Sequence, residues 1–143
     1  MRKYAFALFL ALGIASIPAQ ADVAGAEKLA GKYLAIAKTA NPAIAGFSAE
    51  KGLAFYTQIF TVAGKEVSCN SCHADNPGKM GKDTSTKKAI PALAPAVNTK
   101  RFVSLDKVEK NFEKHCMAVI GRDCTAEEKG NFIAYLLTIK PAK

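Results

Sequence analysis

The sequence predicts an all-α fold, and three features of its 143 residues lead to that prediction. Four stretches are predicted to be helical: apolar residues recur at helical spacing in three of them, and capping residues precede three. No stretch alternates apolar and polar side chains as a half-buried strand does. The length suits a single domain with a modest core. We therefore expect four main helices and no sheet.

The first two helices are predicted in the N-terminal half of the chain. Residues 22–40 form the first, and Asn41-Pro42 ends it. Its apolar face comprises Leu29, Tyr33, Ile36 and Ala37. Ser48 can cap a second helix, in which helical spacing is kept by Leu53, Tyr56 and Phe60.

A long ordered loop is predicted between the two pairs of helices. Residues 74–103 show little periodicity and contain several Pro and Gly residues, which mark turns. A loop of this length is unusual in a compact domain. It therefore needs something to wrap around.

Two further helices are predicted in the C-terminal part. Ser104 can cap a helix that runs to about Ile120, with Gly121 as its stop. Thr125 and Glu128 have the spacing of a capping box, in which each side chain binds the other residue's free backbone N–H group. Pro141 ends the last helix, whose apolar stripe comprises Phe132, Ile133, Leu136 and Leu137.

The first 21 residues have the pattern of a cleavable secretory leader. Arg2 and Lys3 precede a short apolar run, residues 4–17, and the small-residue site Ala19-Gln20-Ala21 follows. The run is shorter than the about 20 apolar residues that a membrane-spanning helix needs. We therefore expect cleavage after Ala21, a periplasmic location, and a mature single domain of residues 22–143 without a membrane span.

The charge of the mature chain bears on its partners. Loss of Arg2 and Lys3 leaves 18 basic and 12 acidic residues, a net charge of +6. Such a charge suits a nucleic acid, a membrane surface or an acidic protein. Export and the lack of any nucleic-acid-binding motif favour the acidic protein, and we expect the chain itself to be a monomer.

The motif that carries the chemistry is Cys69-Asn70-Ser71-Cys72-His73, which has the Cys-x-x-Cys-His pattern of c-type haem attachment. Two thiols one helical turn apart can add to the two vinyl groups on one porphyrin edge. The adjacent histidine can then bind the iron. The motif predicts one covalent haem c held by Cys69 and Cys72, with His73 as an iron ligand.

Three other readings of the Cys-x-x-Cys pair are weaker. A thioredoxin-like redox pair belongs beside a βαβ pattern, which the sequence lacks. A structural zinc site needs four ligands, and the next candidates do not have zinc-finger spacing. A disulfide across two intervening residues would be strained.

Cys116 and Cys124 are the remaining cysteines. Unpaired thiols tend to oxidise in an exported protein, so we expect this pair to form a disulfide. Two free buried thiols are the alternative. Chain entropy gives the bridge a stabilising effect of roughly 2.5 kcal/mol, because the closed loop is short.

The residues alone leave the second iron ligand open among His115, Met117, Met80 and no protein ligand. Met80 lies seven residues after His73, too near to cross to the other face of the ring. His115 and Met117 lie 42 and 44 residues after His73. On a helix these two side chains point about 200° apart, so only one can face the iron.

Several stretches resemble the family of cytochrome c″ of methylotrophic bacteria and the sphaeroides haem protein. The stretches are residues 26–29, 90–95, 98–102, 114–124 and 132–137. The resemblance implies a class I cytochrome c fold wrapped around one haem, with an extra N-terminal helix. It also implies that the Ser48 and Thr125 helices cross near the haem edge.

The resemblance also selects a second ligand. In cytochrome c″, the histidine just before the first cysteine of the family disulfide binds ferric iron and leaves it on reduction. The sphaeroides haem protein has asparagine there. The corresponding residue in this sequence is His115, so the resemblance implies iron ligation by His73 and His115, a Cys116–Cys124 disulfide, and a core or rim position for Met117.

The function expected from these features is periplasmic electron transfer, with proton uptake coupled to detachment of His115, rather than enzymatic turnover. Binding or conversion of nitric oxide, oxygen or carbon monoxide at the opened iron is the alternative. A peroxidase would need an acid–base pair near the iron, for which only His115 itself is available. An acidic redox partner is expected to dock on a basic rim around the haem edge, and an ordinary solvated face is the alternative. The residues of this rim are Lys79, Lys82, Lys87, Lys88, Lys100, Arg101, Lys107 and Lys110.

Overall fold

The computed structural model describes residues 19–142, which form five helices and two short antiparallel hairpins. The helices are α1 (Ala19–Ala40), α2 (Ala49–Thr57), α3 (Asn70–His73), α4 (Leu105–Ile120) and α5 (Ala126–Thr138). The strands are β1 (Phe60–Val62), β2 (Lys65–Val67), β3 (Gly81–Lys82) and β4 (Ala89–Ile90). The predicted all-α class is confirmed, and the four main predicted helices are α1, α2, α4 and α5.

The helix ends follow from the capping residues that the sequence predicts. The hydroxyl groups of Ser48 and Ser104 each accept a hydrogen bond from the backbone N–H group three residues on. Thr125 and Glu128 form both hydrogen bonds of the capping box. Gly121 ends α4 in the left-handed region, at φ 79°, and its N–H group donates to carbonyl groups of the last helical turns.

The start of α1 differs from the prediction by three residues. The helix begins at Ala19 and runs through the predicted cleavage point between Ala21 and Asp22. The rest of the predicted leader, residues 1–18, lies outside the described residues. Within residues 19–142, no helix combines the length and the apolar character needed to cross a membrane.

The expectation that no strand forms was wrong, because two loops close as hairpins. In the first, Phe60 pairs with Val67 and Val62 with Lys65. Its turn residues Ala63 and Gly64 both have positive φ, 50° and 74°, as a type I′ hairpin turn requires. In the second, β3 pairs with β4 inside the long loop that was predicted to be irregular. Both ladders are too short to change the fold class.

Helix α5 packs against both α1 and α2 and forms the centre of the core. The crossing of α2 and α5 depends on Gly52, because a Cβ atom there would collide with the backbone of Asn131. The buried Asn131 side chain accepts a hydrogen bond of 2.8 Å from the N–H group of Ser48, so it also fixes the start of α2. The predicted crossing of the Ser48 and Thr125 helices is therefore present.

The buried faces are narrower than the predicted ones. On α1, Leu29, Tyr33 and Ala37 are buried, but Ile36 is 47% exposed. The contact with α5 follows the i, i+4 row of α1, and Ile36 lies at its edge. Leu53 on α2 is likewise 42% exposed, and Phe60 lies in β1 rather than on a helix. The shared core cluster comprises Ala26, Leu29, Tyr33, Tyr56, Leu93, Phe102, Val108, Phe132, Ile133, Tyr135 and Leu136.

Helix α4 is fixed to α1 and α5 by one polar cluster around Glu109. The hydroxyl group of Tyr33 donates a 2.6 Å hydrogen bond to Glu109, and Lys32 forms an ion pair with it at 3.0 Å. Lys129 on α5 lies 3.9 Å from the same carboxylate and 5.6 Å from the centre of the Tyr33 ring. The cluster thereby positions the helix that carries His115, the predicted second ligand.

Candidate functional site

A cavity of about 450 Å³ lies between α3, α4 and the loop that connects them. Its volume falls within the about 300–1,000 Å³ that is typical of ligand and cofactor sites. Apolar side chains form much of the wall on the α4 side, among them Val108, Phe112, Ala118, Val119 and Ile120. All four residues predicted to bind the haem line this cavity: Cys69, Cys72, His73 and His115.

The Cys-x-x-Cys-His motif forms one helical turn, α3, with Cys69 at its N-cap position. The N–H groups of Cys72 and His73 both donate to the carbonyl oxygen of Cys69, at 3.3 and 3.1 Å. Neither cysteine is in a disulfide. Burial raises the pKa of the Cys69 thiol to about 11, so this thiol is neutral at pH 7. Both cysteines line the cavity wall.

Two contacts that the sequence did not reveal hold α3 in position. The hydroxyl group of the buried Tyr56 lies 3.0 Å from the carbonyl oxygen of His73 and 2.5 Å from that of Ala74. Ala74 has a positive φ of 63°, which turns the chain away from α3. On another side, Gly81 in β3 lies so close that a Cβ atom would collide with the backbone of Cys72 and His73. The histidine is thus fixed by its backbone as well as by its own packing.

His115 lies in the penultimate turn of α4, and its side chain is exposed on the cavity wall. The next residue, Cys116, forms a disulfide with Cys124, just before α5. The Cα atoms of the two cysteines are 5.7 Å apart, within the usual range for a disulfide. The bridge ties the C-terminal end of α4 to the start of α5.

The rings of His73 and His115 lie close together on the cavity wall, in an edge-to-face arrangement. Their centroids are 5.9 Å apart and their planes are inclined at 79°. A metal–imidazole bond is about 2 Å long, so two imidazoles on opposite sides of one metal ion have ring centres about 6 Å apart. The observed spacing therefore fits one iron atom between the two rings.

Both imidazoles are held in the neutral form, which is the form that binds metal ions. Burial lowers the pKa of His73 to about 4, and the charges of His115 and Arg101 add to that effect. The pKa of His115 is also lowered, first by burial and then by the positive charges of Lys114 and Arg101. At pH 7 neither ring has to lose a proton before it binds iron.

The two methionines considered as alternative ligands lie away from the cavity wall. Met80 is 66% exposed and Met117 is 53% exposed. Neither lines the cavity. Met117 was expected in the core or at the rim; the structure shows it largely exposed on α4.

Arg101 differs from the other residues predicted to form a docking surface. The seven lysines of that set are exposed: Lys79, Lys82, Lys87, Lys88, Lys100, Lys107 and Lys110. Arg101 instead lines the cavity, and its Nε atom is buried. The loop turns its side chain inward, so Arg101 does not belong to the same exposed set as the seven lysines.

Polar atoms of the cavity wall are suited to a prosthetic group. Among the described residues, the buried Nδ1 atom of His73 and the Nε atom of Arg101 have no hydrogen-bond partner. Buried polar groups are nearly always paired, so these atoms indicate a bound group with polar contacts. Together with two free cysteines and two neighbouring imidazoles in a largely apolar cavity, they fit the haem that the motif predicts.

Comparison with known proteins identifies related sequences along most of the chain. A family model described as a domain of unknown function (DUF1924) matches residues 42–136. The chain is 53% identical to cytochrome c″ of Methylophilus methylotrophus over 130 residues, which covers 90% of each protein. It is 33% identical to the cytochrome c-type protein SHP of Cereibacter sphaeroides over 130 residues, 90% of this chain and 95% of the relative.

Solved structures give the same result. A solution structure of Methylophilus methylotrophus cytochrome c″ matches with a TM-score of 0.77 and 52% identity. The match covers 85% of this chain and 99% of that one, and that structure addresses the structural basis of haem-ligand detachment. The structure of oxidised SHP, an oxygen-binding cytochrome c, matches with a TM-score of 0.60 and 33% identity, covering 87% and 98%. The predicted resemblance and the helical cytochrome fold are confirmed, and the chain belongs to the cytochrome c″ family, whose cofactor is haem c.

Proposed function

We propose that this chain is a periplasmic monohaem cytochrome for electron transfer, in which His115 leaves the iron on reduction and takes up a proton. The observation that carries the proposal is the pair of neighbouring rings, His73 and His115, with centroids 5.9 Å apart in the cavity that Cys69 and Cys72 also line. Haem supplies a one-electron couple when it is bound. The residues of the chain determine how the haem is held and what reduction changes.

Attachment is the role of α3. Cys69 and Cys72 each form one thioether, and one helical turn aligns the two sulfurs with a single porphyrin edge. His73 binds the iron from the same segment, whose backbone is held by Tyr56 and Gly81. Since these contacts involve backbone atoms, His73 stays in position in both oxidation states.

His115 is the ligand that can move. It lies on α4, separate in sequence from α3, and its side chain is exposed on the cavity wall. A ferrous ion has a lower charge than a ferric ion and therefore attracts the imidazole nitrogen less strongly. Once released, the ring recovers a basic nitrogen that can accept a proton. Release of His115 thereby couples electron uptake to proton uptake.

Location and partners follow from the leader pattern and the charge. Residues 1–21 have the features of a cleavable leader, so the mature chain is periplasmic. The seven exposed lysines of the predicted docking set can steer an acidic redox protein towards the haem edge. The chain acts as a carrier rather than a catalyst.

A second candidate function is binding or conversion of oxygen, nitric oxide or carbon monoxide once His115 has left the iron. The apolar wall of α4 next to His115, with Val108, Ala118 and Val119, suits a small uncharged ligand. Similarity to SHP, described as oxygen-binding, also favours this candidate. It uses the same opened site, so it does not conflict with electron transfer.

The test is a comparison of oxidised and reduced protein by optical absorption and electron paramagnetic resonance. We expect low-spin ferric haem and high-spin ferrous haem. A ferrous protein that stays fully low-spin without added ligand would contradict detachment. Addition of carbon monoxide to reduced protein tests ligand access, and sustained turnover of nitric oxide or oxygen with an electron donor would indicate a catalyst.

A further inference from the structure

Arg101 is a cation on the cavity wall that forms no ion pair with the described residues. Its Nε atom is buried without a hydrogen-bond partner among residues 19–142. The ion pairs in that part of the chain involve other cations, namely Lys32, Lys51, Arg122 and Lys129. A guanidinium group keeps its charge, and burial of a charge without an anionic partner is costly. The cavity is therefore expected to receive an anion at Arg101.

The buried Asp22 does not supply that anion. Its Oδ1 atom accepts a 2.5 Å hydrogen bond from the N–H group of Phe102, and its Oδ2 atom is buried without a partner. Burial lowers the pKa of Arg101 and the charge of Asp22 opposes that change, but the two side chains form no ion pair within 4.0 Å. Asp22 thus attracts Arg101 and holds the backbone beside it.

Helix α1 fixes the Arg101–Phe102 segment through a second contact. A Cβ atom on Gly25 would lie 2.6 Å from the carbonyl oxygen of Phe102, so only glycine allows α1 to approach this closely. The Phe102 ring is itself buried in the core cluster, with 3% exposure. The backbone next to Arg101 is therefore held from both sides while its side chain faces the cavity.

We propose that the guanidinium group of Arg101 binds a propionate carboxylate of the haem, and that Asp22 is a positioning residue for the Arg101–Phe102 segment. The proposal rests on haem binding by Cys69, Cys72 and His73. The propionates are the anionic groups of haem, and a carboxylate is the partner that a planar guanidinium binds best, often through two parallel hydrogen bonds. The cysteines hold the neutral vinyl edge of the ring, and Arg101 binds the charged propionate edge.

The proposal gives the N-terminal helix a role in cofactor binding. Asp22 and Gly25 lie in the first two turns of α1, and both act on the same peptide segment. Helix α1 would then support the propionate contact without touching the iron ligands. A carboxylate bound to Arg101 would neutralise its positive charge. The charge would then stabilise the reduced haem less than an unpaired arginine would.

The experiment compares Arg101→Gln with Lys100→Gln in the full haem-loaded protein. Lys100 is the exposed neighbour, so its variant removes the same charge without changing the cavity. Resonance Raman spectroscopy reports the bending mode of the haem propionates. We expect Arg101→Gln to shift that band and to lower the reduction potential, while Lys100→Gln leaves the band unchanged. A wild-type propionate band in Arg101→Gln would overturn the proposal.

Two further variants complete the test. Lysine keeps the positive charge but cannot form two parallel hydrogen bonds to a carboxylate. We therefore expect Arg101→Lys to shift the propionate band and to change the reduction potential less than Arg101→Gln does. If Arg101→Gln does not accumulate, an unchanged band in Arg101→Lys overturns the proposal instead. Asp22→Asn should give a smaller shift than Arg101→Gln, and no shift would remove Asp22 from the positioning role. Covalent haem content, measured in parallel, tests the proposed function separately: haem present with an unchanged band refutes the arginine contact alone.

Discussion

The imidazole planes of His73 and His115 are nearly perpendicular, at 79°. If both rings bind the haem iron with this inclination, each would interact with a different one of two iron d orbitals, and these orbitals would stay close in energy. We predict that the oxidised protein gives a strongly anisotropic low-spin paramagnetic-resonance signal with one unusually large g value. Three moderate, well-separated g values would indicate nearly parallel rings and a different bound geometry.

Replacement of His115 by alanine tests the second ligand. We expect ferric haem in His115→Ala to become high-spin, or to be ligated only by water or an added small ligand, because Met117 and Met80 are largely exposed. Covalent haem content should stay normal, since α3 is unchanged. Met117→Ala is the control and should keep the wild-type spectrum. A low-spin ferric spectrum unchanged in His115→Ala would exclude this ligand.

The two thiols of α3 are predicted to be necessary for covalent attachment. In Cys69→Ala/Cys72→Ala, acid-acetone extraction should remove essentially all haem, whereas the wild-type protein should retain it. Each single variant should keep one thioether, which shifts the absorption maximum of the pyridine complex towards that of a ring with one free vinyl group. Retention of haem by the double variant through extraction would show that the attachment site is elsewhere.

The reduction potential is predicted to fall as pH rises, with a slope of at most about 59 mV per pH unit for one proton per electron. Reduced protein with free His115 binds more protons than oxidised protein. A rise in pH lowers the proton concentration and therefore disfavours reduction. Burial and then Lys114 lower the pKa of His115 from its ordinary value of 6.5, which confines the steep region to acid pH. Lys114→Gln should move that region to higher pH. A slope that persists unchanged in His115→Ala would come from another group, such as a propionate.

Electron transfer with an acidic partner is predicted to slow as ionic strength rises. The exposed lysines at 79, 82, 87 and 88 follow the haem motif, and steering of this kind changes association rates by about 10- to 1,000-fold. Combined replacement of Lys82 and Lys87 by glutamate should reduce both the rate at low salt and its salt dependence. Lys38→Glu, at an exposed position of α1, is the control. A rate that salt does not change would argue against this docking surface.

Local signals in the sequence were sufficient for most of the fold. Ser48, Ser104, Thr125 and Gly121 act on their own helix ends, so their roles can be predicted without knowledge of the neighbours. The haem motif is equally local. The hairpin around Gly64 was not predicted, because three-residue strands carry almost no periodicity.

Features that depend on neighbours were predicted less well. Ile36 is exposed because the row of α1 in contact with α5 is narrow, and the sequence does not reveal which row that is. Arg101 lies in a lysine-rich stretch, so its charge suggested a solvated residue although its side chain enters the cavity. The Tyr56 hydroxyl group contacts the carbonyl groups of His73 and Ala74, which lie 17 and 18 positions further along the chain. The spacing of these residues in the sequence does not predict this contact.

The Cys116–Cys124 bridge makes the release of His115 a competition between a tethered ligand and free ones. The bridge closes a loop of eight residues at the end of α4 and keeps the detached ring close to the position that it left. A group held in this way has an effective concentration on the order of millimolar or more. Any dissolved gas at micromolar concentration must therefore bind about a thousandfold more tightly than the imidazole in order to exclude it. The same tether allows His115 to return in a unimolecular step when the iron is oxidised again.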